Sequence, residues 1–376
     1  MSVQNRVLFS LLFALTFFYT ALNRNWYNIA AIFQLALVLT LLLTFSVNIK
    51  HVKNTLMFWV LLLFFPLLAF FQGQYILNLL AFFFVFELSR IVSRSFFYKA
   101  SVLYSLIIAL VSIMLFSVFR GGGMYNYISF GNQIVPGLNR LLGLDGSPVS
   151  ISIVVILGIL ASIQLRTVFY VFIVPFILIL VLVWTGSRTT IFAILFALLV
   201  AKVKGWKLCV ILIFILTLPF LFTYLYVTHS DNLLLTFSIE GVTSYRIVNW
   251  VNAIYYYLDS GLWGVLFGIG HLPVLNEAYL AKSFFDGHYT YKFVTYTESA
   301  ILRIMVNYGL IFFVSFFGLI VYSSKKLESY VGRLTVLIIV LMSFLYDPVY
   351  SIQYFFIIMM LFITVSRSRE NSFGGL

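Results

Sequence analysis

Long apolar runs broken by short polar knots set the rhythm of this chain. The stretch from Leu208 to Val227 contains no charged residue, and its length matches the roughly 20 residues an α-helix needs to cross a bilayer. Reading apolar blocks against polar breaks in this way predicts about twelve spans. They fall near residues 7–22, 28–47, 55–71, 75–92, 100–119, 148–164, 168–185, 189–201, 208–228, 298–322, 334–346 and 349–366. The blocks at 189–201 and 334–346 are short for a full crossing, which leaves a kinked, flat-lying or broken helix open for each. The expected fold class is all-α: one polytopic integral membrane domain over residues 1–376.

Composition removes the water-soluble alternatives. With 63% hydrophobic and 9% charged residues, a soluble fold would lack the polar surface to cover itself. Met1 to Arg6 and the apolar run behind it are read as a retained helix, since no small-residue cleavage site precedes the next span. A single cysteine, Cys209, lies within an apolar run, so neither a disulfide framework nor a thiolate metal site is expected within one chain. The formal net charge of +12 would suggest nucleic acid in a soluble protein, but Lys and Arg also accumulate in cytoplasmic loops of membrane proteins.

Placement decides between those readings. With the N-terminus in the cytoplasm, the inner segments take Arg6, Lys50, Lys53, Arg90, Arg94, Lys99, Arg166, Lys202, Lys204, Lys207, Lys325, Lys326, Arg333, Arg367 and Arg369. The outer ones take Arg24, Arg120, Arg140, Arg188, Arg246, Lys282, Lys292 and Arg303. This obeys the positive-inside rule. The acids sort the opposite way, with Glu87, Glu328 and Glu370 alone inside. Two outer segments are long: 120–148, rich in Gly and Asn, and 229–297, which holds three of the four histidines. Loops of such length are usually functional or disordered. The larger one is rich in aromatics, including Trp250 and Tyr255 to Tyr257, and reads as folded material resting on the membrane surface.

The sharpest local feature is Thr185-Gly186-Ser187-Arg188-Thr189-Thr190, a polar knot between two apolar runs. Arg188 has two readings there: an interfacial arginine that snorkels to headgroups, or a clamp on phosphate through paired guanidinium hydrogen bonds. A helix over residues 244–258 would put Arg246, Asn249 and Trp250 on one face. That set suits a sugar phosphate, with Tyr255 adding sugar-contacting surface, or else marks an interfacial helix. Gly268 and Gly270 fit a tight turn with close backbone approach. His271 and His288 are candidate bases, and their spacing matches no zinc signature, so no metal and no cofactor are expected. Glu298 and Arg303 lie at the outer edge of the tenth apolar block, where ionisable residues are functional candidates by default. Arg140 adds further positive charge on this face.

The pattern points to an anionic, lipid-anchored ligand approached from outside. A diphosphate-activated sugar needs mainly cations for developing negative charge and one base for the acceptor hydroxyl. The chain contains no Asp-x-Asp pair, which fits arginines rather than a metal in the neutralising role.

The order of these pieces resembles the family of O-antigen polymerases (Wzy-type) and O-antigen ligases (WaaL-type). The residues carrying the resemblance are Arg140, Gly143 and Pro148, then the Thr185-Gly186-Ser187-Arg188 knot, then Arg246 and Trp250 leading to Phe267-Gly268-Ile269-Gly270. Glu298, Leu302 and Tyr308-Gly309-Leu310 complete it. It spans most of residues 135–320, while the N-terminal helices match in hydropathy alone.

The resemblance implies a GT-C-like helical fold in a bacterial inner membrane, with its active site facing the periplasm. Outer-face arginines would grip undecaprenyl diphosphate. Arg188 and Arg246 carry that role, with Arg140 or Arg303 assisting. Ligases of this family show a His-Asn pair where this chain has Glu298 and Ser299, which favours a polymerase and leaves the base among Glu298, His271 and His288. The family's polymerases also place a Gly where Tyr257 stands, a departure that weakens the carry-over at Arg246. The implied activity is transfer of a growing glycan from undecaprenyl diphosphate to a lipid-linked repeat unit. A ligase joining glycan to lipid A core and a flippase for lipid-linked glycans are the alternatives. Expected partners are the undecaprenyl diphosphate-linked oligosaccharide, membrane lipids and a chain-length regulator, with no nucleic acid.

Overall fold

A computed structural model describes residues 3–22, 32–33, 36, 39–40, 43, 89, 92–118, 139–143, 148–165, 167–228, 239, 246–269, 299–345 and 356–364. Among the described residues the protein is all-helical, with no strand. The helices are α1 (Val3–Leu22), α2 (Arg94–Val118), α3 (Pro148–Gln164), α4 (Val174–Thr185), α5 (Arg188–Val200), α6 (Trp206–Thr228), α7 (Ile247–Asp259), α8 (Gly261–Phe267), α9 (Ala300–Ser324) and α10 (Tyr330–Leu345). A further helical stretch covers 356–364. Three of them, over Arg94–Ser117, Trp206–Thr228 and Ala300–Ser324, are long and apolar enough to cross a membrane. Shorter apolar helices over Val3–Phe18, Ile151–Gln164, Phe169–Thr185, Thr190–Val200 and Tyr330–Phe344 accompany them. The expected block at 55–71 lies outside the described residues, as does that at 75–92 except for Ser89 and Val92.

Helix α3 and the 356–364 stretch form the centre. Ile151 to Leu157, Leu160 and Ala161 are all buried, as are Phe356 to Ile363. These segments are apolar on every side, the mark of a helix enclosed by other helices or by lipid. Helix α2 packs on α3 through small residues. Ser105 donates its hydroxyl to the Val154 carbonyl at 2.7 Å, and a Cβ on Gly158 would stand 2.5 Å from the Ser105 Cβ. Small residues at a crossing let the backbones approach, which is how apolar helices gain contact where lipid competes equally well for their hydrophobic side chains. Phe13 of α1 stacks on Phe356 with ring centroids 4.1 Å apart and meets Tyr104 of α2 at 5.5 Å.

Two expected spans take a different local form. The block at 168–185 opens with a π-helical turn, Phe169–Ile173, before α4 begins. The Val174 N–H bonds the Phe169 carbonyl, and Pro175 just inside α4 has no N–H to continue the ordinary ladder. The short block at 334–346 belongs to a longer helix starting at Tyr330. Hydropathy stops at Arg333, but that residue is buried and its charge is met by carbonyls. Its Nε donates to the Ala201 carbonyl at 2.7 Å, and one terminal nitrogen donates to the Leu327 and Glu328 carbonyls at 3.0 and 2.5 Å.

Helix α9 is broken. Gly309 sits at φ 81°, ψ 170° within it, a region essentially reserved for glycine. Before the break every residue from Ala300 to Gly309 is buried. After it, Leu310, Ile311 and Val314 are exposed on one apolar face.

Candidate functional site

The Thr185-Gly186-Ser187-Arg188 knot is a helix-to-helix turn whose polar groups are nearly all satisfied internally. Gly186 takes the left-handed conformation, φ 62° and ψ 25°, and its N–H bonds the Val183 carbonyl, so α4 stops there. The last carbonyls of α4 then need donors from elsewhere. The Leu141 N–H bonds the Trp184 carbonyl at 3.0 Å, and Arg140 gives its Nε to the Thr185 carbonyl at 2.8 Å. A cation at a helix C-terminus also meets the negative end of the helix dipole. The short segment 139–143 is thereby laid against the knot. Thr185 shares a 3.0 Å hydrogen bond with Ser152 of α3 and donates to the Leu182 carbonyl at 2.7 Å. Ser187 shares one of 2.8 Å with Thr190. All three of Thr185, Ser187 and Thr190 are buried.

Arg188 alone of this group turns outward: its side chain is exposed at the first position of α5. The positive end of the α5 dipole lies at the same place, and the first turn carries no acid. A cation at a helix N-terminus is disfavoured by about 0.3–1 kcal/mol unless an anion offsets it. Two positive sources held on a rigid turn are placed to attract a phosphate group.

The pairing of α5 with α10 fixes which end of the bundle this is. Tyr330 donates its hydroxyl to the Leu198 carbonyl at 3.1 Å and Arg333 bonds Ala201, so the start of α10 meets the end of α5, and the two helices stay packed together beyond that contact, as an antiparallel pair does. A 13-residue helix is about 20 Å long, which carries Arg188 to the level of the far end of α10. There Trp250 packs on Phe344 with centroids 5.5 Å apart, and the Ser299 hydroxyl bonds the Ser343 carbonyl at 3.4 Å. Arg140, Arg188, Arg246 and the start of α9 therefore share one end. Lys202, Lys204, Lys207, Lys325 and Lys326 are exposed at the other.

No protein-family model matches this chain, and no curated protein or solved structure is significantly similar to it.

Arg246 stands at the N-cap position of α7 with no side-chain capping bond and is half-buried. The expected face of Arg246, Asn249 and Trp250 forms on that helix, but it points partly inward. Trp250 is wholly buried and turned to Phe344, so it offers no ring face to a sugar, while Asn249 is half-buried and Tyr255 is 43% exposed. Arg303 lies in the enclosed first half of α9 and is 3% exposed. Glu298, His271 and His288 lie outside the described residues. Among the described residues no group of His, Cys, Asp and Glu is arranged to hold a metal.

Sequence reasoning missed two contributors. Ser152 is one, an ordinary serine in an apolar run until α3 places it on Thr185. Tyr257 is the other. Its hydroxyl donates to the Val265 carbonyl of α8 and accepts from the Leu310 N–H, and burial pushes the phenol up to about 12 despite that bond. Leu310 supplies the first N–H beyond the break in α9, so Tyr257 caps the second half of the helix.

Proposed function

We propose that this protein is a membrane glycosyltransferase of the O-antigen polymerase type, moving a growing glycan from undecaprenyl diphosphate to a lipid-linked repeat unit at the arginine-bearing end of its bundle. The observation that carries the reading is the exposed Arg188 at the N-terminus of α5, held by a buried turn at the end of the bundle that Arg246 also occupies. A preorganised cation costs no reorganisation when negative charge develops on a leaving diphosphate. Arg188 and Arg246 bind the diphosphate, and Tyr255 supplies sugar-contacting surface. Glu298, His271 and His288 are the candidate bases for the acceptor hydroxyl. The periplasmic face of a bacterial inner membrane is where the donor and acceptor lipids would meet this end.

The ligase alternative is weakened by Ser299. It stands where the family's ligases carry part of a His-Asn pair, and it is fully buried with its hydroxyl turned to Ser343. The transporter alternative draws on a specific feature, the broken helix α9 with a buried arginine in its first half. Discontinuous helices near an intramembrane charge are a recurrent transporter device.

Gel analysis of surface polysaccharide from cells lacking the protein separates these readings. A single repeat unit on the lipid core, restored to a ladder by wild type and not by Arg188→Ala at equal abundance, is the expected result. Complete loss of core-linked units would overturn the polymerase reading in favour of ligation or transport.

A further inference from the structure

Helices α7 and α8 form a hairpin that is fastened at both ends. Trp250 is pinned to Phe344 at one end. At the other, Tyr257 bridges Val265 and Leu310, the Ile269 N–H bonds the Val306 carbonyl at 2.9 Å, and Gly268 lies against Gly309. Between these fastenings the hairpin leaves an apolar patch uncovered. Leu258, Leu262 and Trp263 are 60%, 70% and 64% exposed, with Trp263 stacked on Phe267. In water such a contiguous patch is a liability that proteins seldom leave open.

The patch does not stand alone. Leu266 of α8 is in backbone contact with Gly309, and the next residues of α9, Leu310, Ile311 and Val314, carry an exposed apolar face along a membrane-length helix. The uncovered surface of the hairpin thus runs into the surface that α9 presents to lipid. At the turn beside this patch Asp259 and Ser260 are exposed. Apolar side chains and a tryptophan on one side, with a carboxylate at the bend, match a segment lying at the boundary between headgroups and acyl chains.

We propose that the α7–α8 hairpin is an interfacial anchor: Leu258, Leu262 and Trp263 insert into the bilayer at the level of the break in α9, while Asp259 stays at the headgroups. The occupant of the patch is lipid. The hairpin then seals the enclosed first half of α9 from the membrane side.

The test uses the full-length protein with Cys209→Ser as background, in vesicles of phosphatidylethanolamine and phosphatidylglycerol. A nitroxide is attached at Leu262→Cys, Asp259→Cys, Leu180→Cys on the exposed face of α4, or Lys202→Cys. Collisions are measured with oxygen, which partitions into lipid, and with a water-soluble nickel chelate. The expected result is that Leu262 behaves like Leu180, with oxygen collisions dominant, while Asp259 shifts towards the nickel-accessible pattern of Lys202. Nickel access at Leu262 equal to that at Lys202 would overturn the proposal and make the patch a solvent-facing surface. Loss of collisions with both reagents at Leu262 would also overturn it, by showing that protein covers the patch. Quenching of Trp fluorescence by brominated lipids, reduced by Trp263→Phe, is the companion measurement; no reduction would count against insertion.

Discussion

Gly268 and Gly309 meet backbone to backbone, each in a conformation that only glycine adopts readily. Gly268 has φ 87° and ψ 166° and Gly309 has φ 81° and ψ 170°. A Cβ on Gly268 would stand 2.6 Å from the Gly309 nitrogen, and one on Gly309 would stand 2.5 Å from the Gly268 nitrogen. Either substitution to Ala therefore combines backbone strain with a clash against main chain that cannot step aside. Strain alone is worth about 1–3 kcal/mol at such positions. Gly268→Ala and Gly309→Ala are each expected to lower the melting temperature in detergent markedly, whereas Gly318→Ala, in open space on the same helix, leaves it nearly unchanged. Equal melting temperatures for all three would mean that the two backbones do not meet.

Arg140 and Arg188 stand close in the knot but do different work, and their variants should separate. The Arg140 Nε is engaged by the Thr185 carbonyl at the end of α4, so Arg140→Ala removes a charge-assisted hydrogen bond worth about 1.5–3 kcal/mol and loosens the turn that carries Arg188. It is expected to reduce both thermal stability and polymer yield. Arg188→Ala touches an exposed side chain and is expected to abolish polymer with little change in melting temperature. Paired thermal melts and polysaccharide gels read both effects. A stable but fully inactive Arg140→Ala would mean that this arginine contacts substrate.

Arg333 provides the contrast at the opposite end. It is buried and serves the carbonyls of Ala201, Leu327 and Glu328, joining the end of α5 to the loop between α9 and α10. Arg333→Met keeps the volume and leaves three acceptors without their donor. Since each lost partner of a buried polar group costs about 1–3 kcal/mol, the variant is expected at strongly reduced abundance. Whatever protein folds should keep wild-type activity per molecule, measured by normalising polymer yield to membrane protein.

These contrasts mark what hydropathy can and cannot show. Blocks such as 208–228 are legible because a bilayer demands an unbroken apolar run, and α6 fills Trp206–Thr228. The polar knot at 185–190 is equally visible, since nothing but a turn or a site explains it between two apolar runs. Arg333 misleads, because hydropathy scores a charged residue as the end of a helix and takes no account of carbonyls from α5 that the fold brings to it. Trp250 misleads in the other direction. Helical spacing puts it beside Arg246, but only the position of Phe344 decides that the indole faces inward. Gly309 enters the sequence pattern only within Tyr308-Gly309-Leu310, and Gly268, forty-one residues away in sequence, supplies the structural reason for it.

Tyr257 gives a pH-dependent test of the junction between α7, α8 and α9. Burial raises its phenol from an ordinary value near 10 to about 12, against the opposing effect of the Leu310 N–H. The folded protein therefore holds this proton more tightly than the unfolded chain. The stabilisation is fully present below pH 10 and is lost as pH rises towards 12. Tyr257→Phe removes both the titrating proton and the hydrogen bonds to Val265 and Leu310, so it is expected to lower the melting temperature at pH 8. The gap between wild type and variant should narrow as pH approaches 11.5, because wild type then loses what the variant already lacks. Every other group is common to both proteins and cancels in the difference. A gap that stays constant across this range would show that the Tyr257 hydroxyl is not buried at the break in α9.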